Sequence, residues 1–308
     1  MSLSIRAMAS LTGMEYSGGV MTNDTQIFTT PSDKPVLVIG ANGKTGRRLV
    51  GRLSAANLPF RAASRSSEIP FDWNDRSTWN RAIEGTGSVY ITVYPDLSFP
   101  GVSENVGVFA NLAVTLGAKR LVLLSGRGEA GAQDAEERLR KSGAEVTIVR
   151  CSVFNQNFSE SFADAIRHGR LSMPVGDIQE PFVDAEDIAD VAFAAFTDDR
   201  HIGETYELTG PRLLTLPQVV EELSRAIGRP VRFDPVSVPQ YARELVEHGF
   251  SEEESLPVAQ LIADVMDGRN ATLVDGVKRA LGREPRDFAD FARAEVTAGT
   301  FDLEGGEL

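Results

Sequence analysis

The chain has 308 residues, 42% of them hydrophobic, enough for one large α/β domain or a nucleotide-binding domain with a smaller companion. Its 44 acidic and 31 basic residues leave a net charge of -13 with no visible basic stripe, so nucleic acid is excluded as a partner. No apolar run reaches the roughly 18 residues needed to span a bilayer, and no basic segment with an apolar signal core opens the chain. A soluble, cytoplasmic protein with no membrane partner is expected. The single Cys151 leaves no disulfide framework, and the scattered His168, His201 and His248 form no recognisable metal motif.

Residues 1–33 are rich in Ser, Thr and Met without sustained periodicity and read as a flexible tail, with Met21 as an alternative start. The strand candidate Val36–Ile39 then runs into Gly40-Ala-Asn-Gly-Lys-Thr-Gly46. The "GKT" resembles the end of a P-loop, but that motif needs a glycine five positions before Gly43, where Val38 stands. Gly40, Gly43 and Gly46 instead repeat every third residue after a strand. This is the spacing of a dinucleotide turn: a tight bend, close approach of backbone to pyrophosphate, and a helix N-terminus facing the anion. A helical pattern over Arg47–Leu58 and a strand over Phe60–Ser64 complete a βαβ unit.

The end of the second strand meets the adenosine ribose, where an acidic residue selects NAD and arginine accommodates the 2′-phosphate of NADP. No acidic residue lies between Lys34 and Ser67; the strand ends Ser64-Arg65, with Arg61 before it and Lys44 in the glycine turn. NADP(H) is the expected cofactor. The alternative is a merely solvated Arg65.

Strand patterns continue at Ser88–Tyr94, Arg120–Ser125 and Glu145–Arg150, with helical patterns at Ser77–Ile83, Val102–Leu116 and Ala132–Ser142. Alternation of this kind predicts a parallel sheet. Beyond residue 150 the order loosens, with strand-like Pro181–Val183 and Thr205–Leu208. Thr215–Gln218 has the form of a capping box opening a helix through Ile227. Residues 211–296 are mostly helical, and Phe288 and Phe291 read as core packing. The fold class is α/β: a doubly wound, parallel-sheet Rossmann domain with a smaller, mostly helical C-terminal substrate cap. The expected boundaries are 1–33 for the tail, 34–210 for the Rossmann domain with 151–180 contributing to the cleft, and 211–308 for the cap.

Several stretches resemble the NmrA-like, atypical short-chain dehydrogenase family, nearest to its ergot-alkaloid-type reductases. They are VLVIGANGKTGRRLV (36–50), RAASRSS (61–67), FDWNDRSTW (71–79), LVLLSGRG (121–128), VRCSVFNQNFSE (149–160), PFVDAEDIADVA (181–192) and YELTGPRLLT (206–215). The resemblance implies that Gly40, Asn42, Gly43, Lys44, Thr45 and Gly46 hold the pyrophosphate. It puts Ser64 and Arg65 at the 2′-phosphate and Asp72 with Trp73 beside the adenine. Val93, Tyr94 and Pro95 follow the nicotinamide ribose, and Cys151, Ser152 and Val153 border the nicotinamide. Phe154, Asn155 and Asn157 turn toward the substrate cleft. Asp184 and Asp187 are expected to brace a helix.

The Y-x-x-x-K pair of ordinary short-chain dehydrogenases is missing. Four residues beyond Tyr16, Tyr90, Tyr94, Tyr206 and Tyr241 stand Val20, Tyr94, Ser98, Gly210 and Leu245. Ala132 occupies the place expected for the family's lysine or histidine. Reduction of a simple ketone needs a positioned acid or an oxyanion site, whereas iminium ions and quinones need mainly orientation against the nicotinamide. The expected activity is therefore reduction of a small, activated, conjugated acceptor. No catalytic residue is firm; Ser125 is the candidate, with Tyr94 and Asn155 as further hydrogen-bonding groups. Ser125 as a strand terminator and Tyr94 as a packed aromatic are the alternatives. Phe250, Leu256 and Leu261 are cap-wall candidates, with ordinary helix packing as the alternative. The competing function is a non-catalytic NADP(H) sensor acting through a protein partner; the oligomeric state stays open.

Overall fold

The computed structural model describes residues 33–94 and 96–303. Apart from Asp33, the tail expected over 1–33 lies outside the described residues, as does Pro95. The first half contains β1 (Val36–Ile39), α1 (Gly46–Ala55), β2 (Phe60–Ala63), α2 (Trp79–Ile83), β3 (Ser88–Ile91), α3 (Val102–Thr115), β4 (Arg120–Gly126), α4 (Ala130–Arg140) and β5 (Glu145–Cys151). The second half contains α5 (Ala163–Arg167), β6 (Arg170–Met173), α6 (Ala185–Thr197), β7 (Thr205–Leu208), α7 (Leu216–Ile227), β8 (Arg232–Pro235), α8 (Val238–Glu247), α9 (Glu252–Val265), α10 (Gly276–Leu281) and α11 (Phe288–Thr297).

Six strands form one parallel sheet in the order β2-β1-β3-β4-β5-β7. The uninterrupted apolar run of β1 follows from burial on both faces: Leu37 and Ile39 join the core under α2, α3 and α4, and Val36 and Val38 join the core under α1 and α6. Each such side chain contributes roughly 1.5–3 kcal/mol. Strand order reverses between β1 and β3, opening a crevice at the carboxyl ends of those strands.

Three expected strands fall short of their patterns, Phe60–Ser64 by ending at Ala63. The Ser88–Tyr94 strand ends at Ile91. The next residue, Thr92, turns its hydroxyl onto the Ile39 carbonyl at 3.0 Å and leads the chain into the crevice. Pro181–Val183 is no strand: this region makes only the isolated bridges Phe154–Val183 and Glu180–Leu214.

The later chain has a core of its own, in which Phe288 packs on Phe158 at 5.5 Å between ring centroids and Phe291 lies 5.3 Å from Phe288. Its α7 starts at the expected capping box, with Thr215 and Gln218 exchanging side-chain-to-backbone bonds. It also contains a parallel pair, β6 with β8, that local pattern did not reveal. Part of the late chain packs on the main sheet. Val277 and Ala280 of α10 pack beneath the main sheet, and a Cβ at Gly276 would lie 1.9 Å from the Glu207 carbonyl oxygen. Among the described residues no helix is long and apolar enough to cross a membrane.

Candidate active site

The turn after β1 is built by its glycines. Gly40 has φ +70°, and a Cβ there would stand 2.3 Å from the Thr92 hydroxyl. Gly43 donates its N–H to the Gly40 carbonyl at 2.8 Å. A Cβ at Gly46 would meet the Gly40 oxygen at 2.2 Å, so α1 abuts the turn only because residue 46 has no side chain. Thr45 makes no side-chain cap and the first turn of α1 carries no acidic residue. This cradle is shaped and charged for a pyrophosphate. Lys44 borders it, its Nζ 3.1 Å from Ser161 Oγ, and burial lowers its pKa despite Glu160 nearby.

At the end of β2, Asn42 donates to Ser64 at 3.0 Å and Ser64 lies 2.7 Å from Ser67. The exposed Arg65 guanidinium stacks 5.5 Å from the Tyr94 ring centroid. These hydroxyls, amide and fork of donors suit a phosphate monoester. Sequence reading singled out Ser64 and Arg65 but not Ser66 and Ser67. Arg61 is elsewhere: it donates to the carbonyls of Ala82 and Glu84 at 2.8 and 2.7 Å, closing α2. Trp73 donates to the Thr92 carbonyl at 2.8 Å and packs with Phe71, Trp79 and Phe109; Asp72 Oδ1 accepts from the Asn74 N–H.

Beyond the glycine turn lies a cavity of about 560 Å3, within the range of small-molecule sites. Gly40, Gly43, Lys44 and Thr45 reach its near end, and Val93 and Tyr94 its side. Ser125, Cys151, Ser152 and Val153 line its floor, with Phe154 and Asn157 beyond. The outer wall is apolar: Phe158, Phe162, Met173, Ile262, Val265 and Met266 line it with Leu261. Leu261 is the one wall candidate that belongs; Phe250 and Leu256 are 41% and 53% exposed and do not line the cavity.

Asn155 does not turn toward the cleft. Its backbone N–H donates to Val183 and its carbonyl accepts from Phe158, which folds the side chain inward, fully buried with both amide atoms unpartnered. Ser125 is on the floor, but its hydroxyl donates to Glu136 at 2.6 Å, so toward a ligand it can only accept. Glu136 is itself gripped by Arg150 at 2.8 and 2.6 Å. Ser152 differs: its oxygen accepts from the buried Arg127 at 3.0 Å, a bond that does not use its hydroxyl proton. Tyr94, at 72% exposure, is no core aromatic. Burial raises the pKa of the Cys151 thiol, keeping it neutral. Asp184 caps α6 through the Glu186 N–H, and Asp187 anchors Arg283 and Arg286, so both brace the helix as expected.

Behind Val153, burial pushes the Glu180 carboxyl up to about 7 from its ordinary 4.5, against the opposing Val153 N–H and Arg127. The folded state therefore holds the proton more tightly than the unfolded chain, and stability is lost as pH rises through this window. Glu180→Gln is expected to out-stabilise the wild type by roughly 3 kcal/mol above neutrality and by almost nothing at acid pH. Urea unfolding at both ends of the window measures this; a pH-independent difference would contradict it.

A family model described as the NmrA-like family matches residues 133–291, just over half of the chain. The chain belongs to the NmrA-like family. Its relatives include the NAD(P)H azoreductase of Xenophilus azovorans, 31% identical over 85% of this chain and 98% of that one. The agroclavine dehydrogenase of Claviceps fusiformis is 32% identical over 83% of this chain and 95% of its own length. Among solved structures, this NmrA-like chain superposes on Citrobacter sp. triphenylmethane reductase complexed with NADP(H). That match has a TM-score of 0.71 and 17% identity, covering 85% and 99% of the two chains, a likeness of fold.

Proposed function

We propose that this chain is an NADPH-dependent reductase acting on an activated, conjugated small molecule. The observation that carries the reading is that the glycine turn opens into the apolar-walled cavity, with Arg65 stacked on Tyr94 at the cavity's side and hydrogen-bonded Ser64 and Ser67 next to it in sequence. The turn fits the cofactor because glycine at 40 and 46 lets it close tightly against the N-terminus of α1, whose first turn carries no acidic residue. In this reading Gly40 to Gly46 hold the pyrophosphate, Arg65 with Ser64, Ser66, Ser67 and Asn42 hold the 2′-phosphate, and Val93, Cys151, Ser152 and Val153 flank the nicotinamide. Asp72 and Trp73 lie at the adenine side. Bound there, the reduced nicotinamide supplies a hydride.

The chain's part is to orient and to exclude water. Leu261, Ile262, Val265 and Met266 close an apolar wall over the polar floor, a shape that favours a flat acceptor. The names of the azoreductase, agroclavine dehydrogenase and triphenylmethane reductase relatives point to the same kind of acceptor. The test is NADPH oxidation, followed by absorbance, across quinones, azo dyes, cationic triarylmethane dyes and cyclic imines. Turnover with at least one class is expected. Tight NADPH binding without turnover across the panel would overturn the reductase and favour an NADP(H)-sensing protein.

A further inference from the structure

Glu129 stands one helical turn before Ala132, at the entry to α4, and lines the cavity with Thr92, Tyr94, Asp96, Ser125 and Gly126. Its carboxyl lies flat over residue 126: a Cβ there would meet Oε1 at 2.3 Å and Oε2 at 2.6 Å, so glycine is required for the acid to reach this position. Oε2 is buried and accepts a hydrogen bond from no protein donor. Glu136, the buried acid beneath Ser125, is by contrast clamped by Arg150. What Glu129 faces is a second acid, Asp96, within hydrogen-bonding reach. Two carboxyl groups in such contact must share a proton, because two carboxylates only repel. Asp96 Oδ1 already accepts from the Ser98 N–H at 2.8 Å and the Ser98 hydroxyl at 2.6 Å. Donors thus already serve Asp96, whereas Glu129 Oε2 has none, so the shared proton sits on Glu129.

We infer that Glu129 is the proton donor of this cleft, serving neutral acceptors whose reduction places negative charge on an oxygen or nitrogen. The inference rests on the reductase reading, narrows its substrate class and replaces the expectation that a quinone needs mainly orientation with one in which its developing phenolate takes a proton inside the cleft. The acceptor, a quinone or an azo compound, takes a hydride at its electrophilic atom and the π-bond pair moves to the heteroatom. The Glu129 O–H bond then breaks with its electron pair staying on the carboxylate, and a heteroatom–H bond forms. Asp96, half-buried at the rim, relays a replacement proton from water. Net consumption is one acceptor, one reduced nicotinamide and one solvent proton. Burial first, then the charge and hydrogen bond of Asp96, hold Glu129 at about 8, against Arg269 as the opposing cation. A general acid in that range is protonated at neutral pH and still labile. Cationic acceptors such as iminium ions and triarylmethane dyes lose their charge on taking hydride and need no such donor.

The first test needs no cofactor. Carboxyl 13C NMR of the protein alone, over a pH titration, should show a resonance titrating near 8 that is lost in Glu129→Gln and moves to lower pH in Asp96→Asn. A Glu129 resonance titrating in the ordinary glutamate range overturns the proposal. The second test compares acceptors. Glu129→Gln should lower kcat with a neutral quinone about 100-fold and remove the alkaline limb of its pH profile, while turnover of a cationic dye changes less than about three-fold. Gly126→Ala, which displaces the carboxyl without removing it, should show the same split. Equal losses on both acceptor classes overturn the acid role. Absence of wild-type turnover with every acceptor counts against the reductase reading, and the titration still judges the acid.

Discussion

Gly46→Ala is expected to lose NADPH affinity by at least about 100-fold, close to 2.7 kcal/mol, and to lower thermal stability. The new methyl would stand 2.2 Å from the Gly40 oxygen, 2.8 Å from the Gly40 carbonyl carbon and 3.0 Å from the Ala41 Cα. All three are backbone atoms, so no side chain can yield; α1 must back away or the turn must open. Overpacking of this kind costs about 1–3 kcal/mol, and either movement spoils the cradle. Gly51→Ala is the contrast, since nothing lies within 4 Å of the added methyl on the same helix. That variant should gain about 0.5–1 kcal/mol and bind normally. NADPH fluorescence titration with thermal unfolding reads both, and wild-type affinity in Gly46→Ala would contradict the cradle.

Arg65→Asp is expected to weaken NADPH binding by about 100-fold while changing NADH binding less than about three-fold. Loss of charge-assisted hydrogen bonds to a phosphate removes roughly 1.5–3 kcal/mol, and a carboxylate in the same place adds repulsion. The stack on Tyr94 disappears as well, but that contact is common to both cofactors. Calorimetry with each coenzyme measures the split. Equal losses would show that Arg65 does not read the 2′-phosphate.

Features carried by neighbouring residues were legible before any coordinates. The glycine turn follows from three glycines and the strand before them; the capping box at Thr215 and Gln218 is complete within four residues. The doubly covered strands announce themselves as unbroken apolar runs. Pairings between distant segments left no such trace: β6 and β8 are four residues each, some sixty positions apart, and neither alternates strongly enough to declare a partner. The cap wall failed for a related reason. Phe250, Leu256 and Leu261 share one character, and only the way α9 lies on the cavity separates the last from the other two.

Chemistry of the floor shows the same division. Sequence alone determined that a three-glycine turn follows the first strand, that Arg65 follows the second, and that no Y-x-x-x-K spacing occurs, because these depend on residue identity at short spacing. Only the tertiary structure decided that Asn155 faces inward, that Ser125 directs its proton at Glu136, and that Glu129 meets Asp96 over a bare glycine. The physical reason is that protonation and hydrogen-bond direction are properties of a neighbourhood, assembled here from separate elements that only the fold brings together.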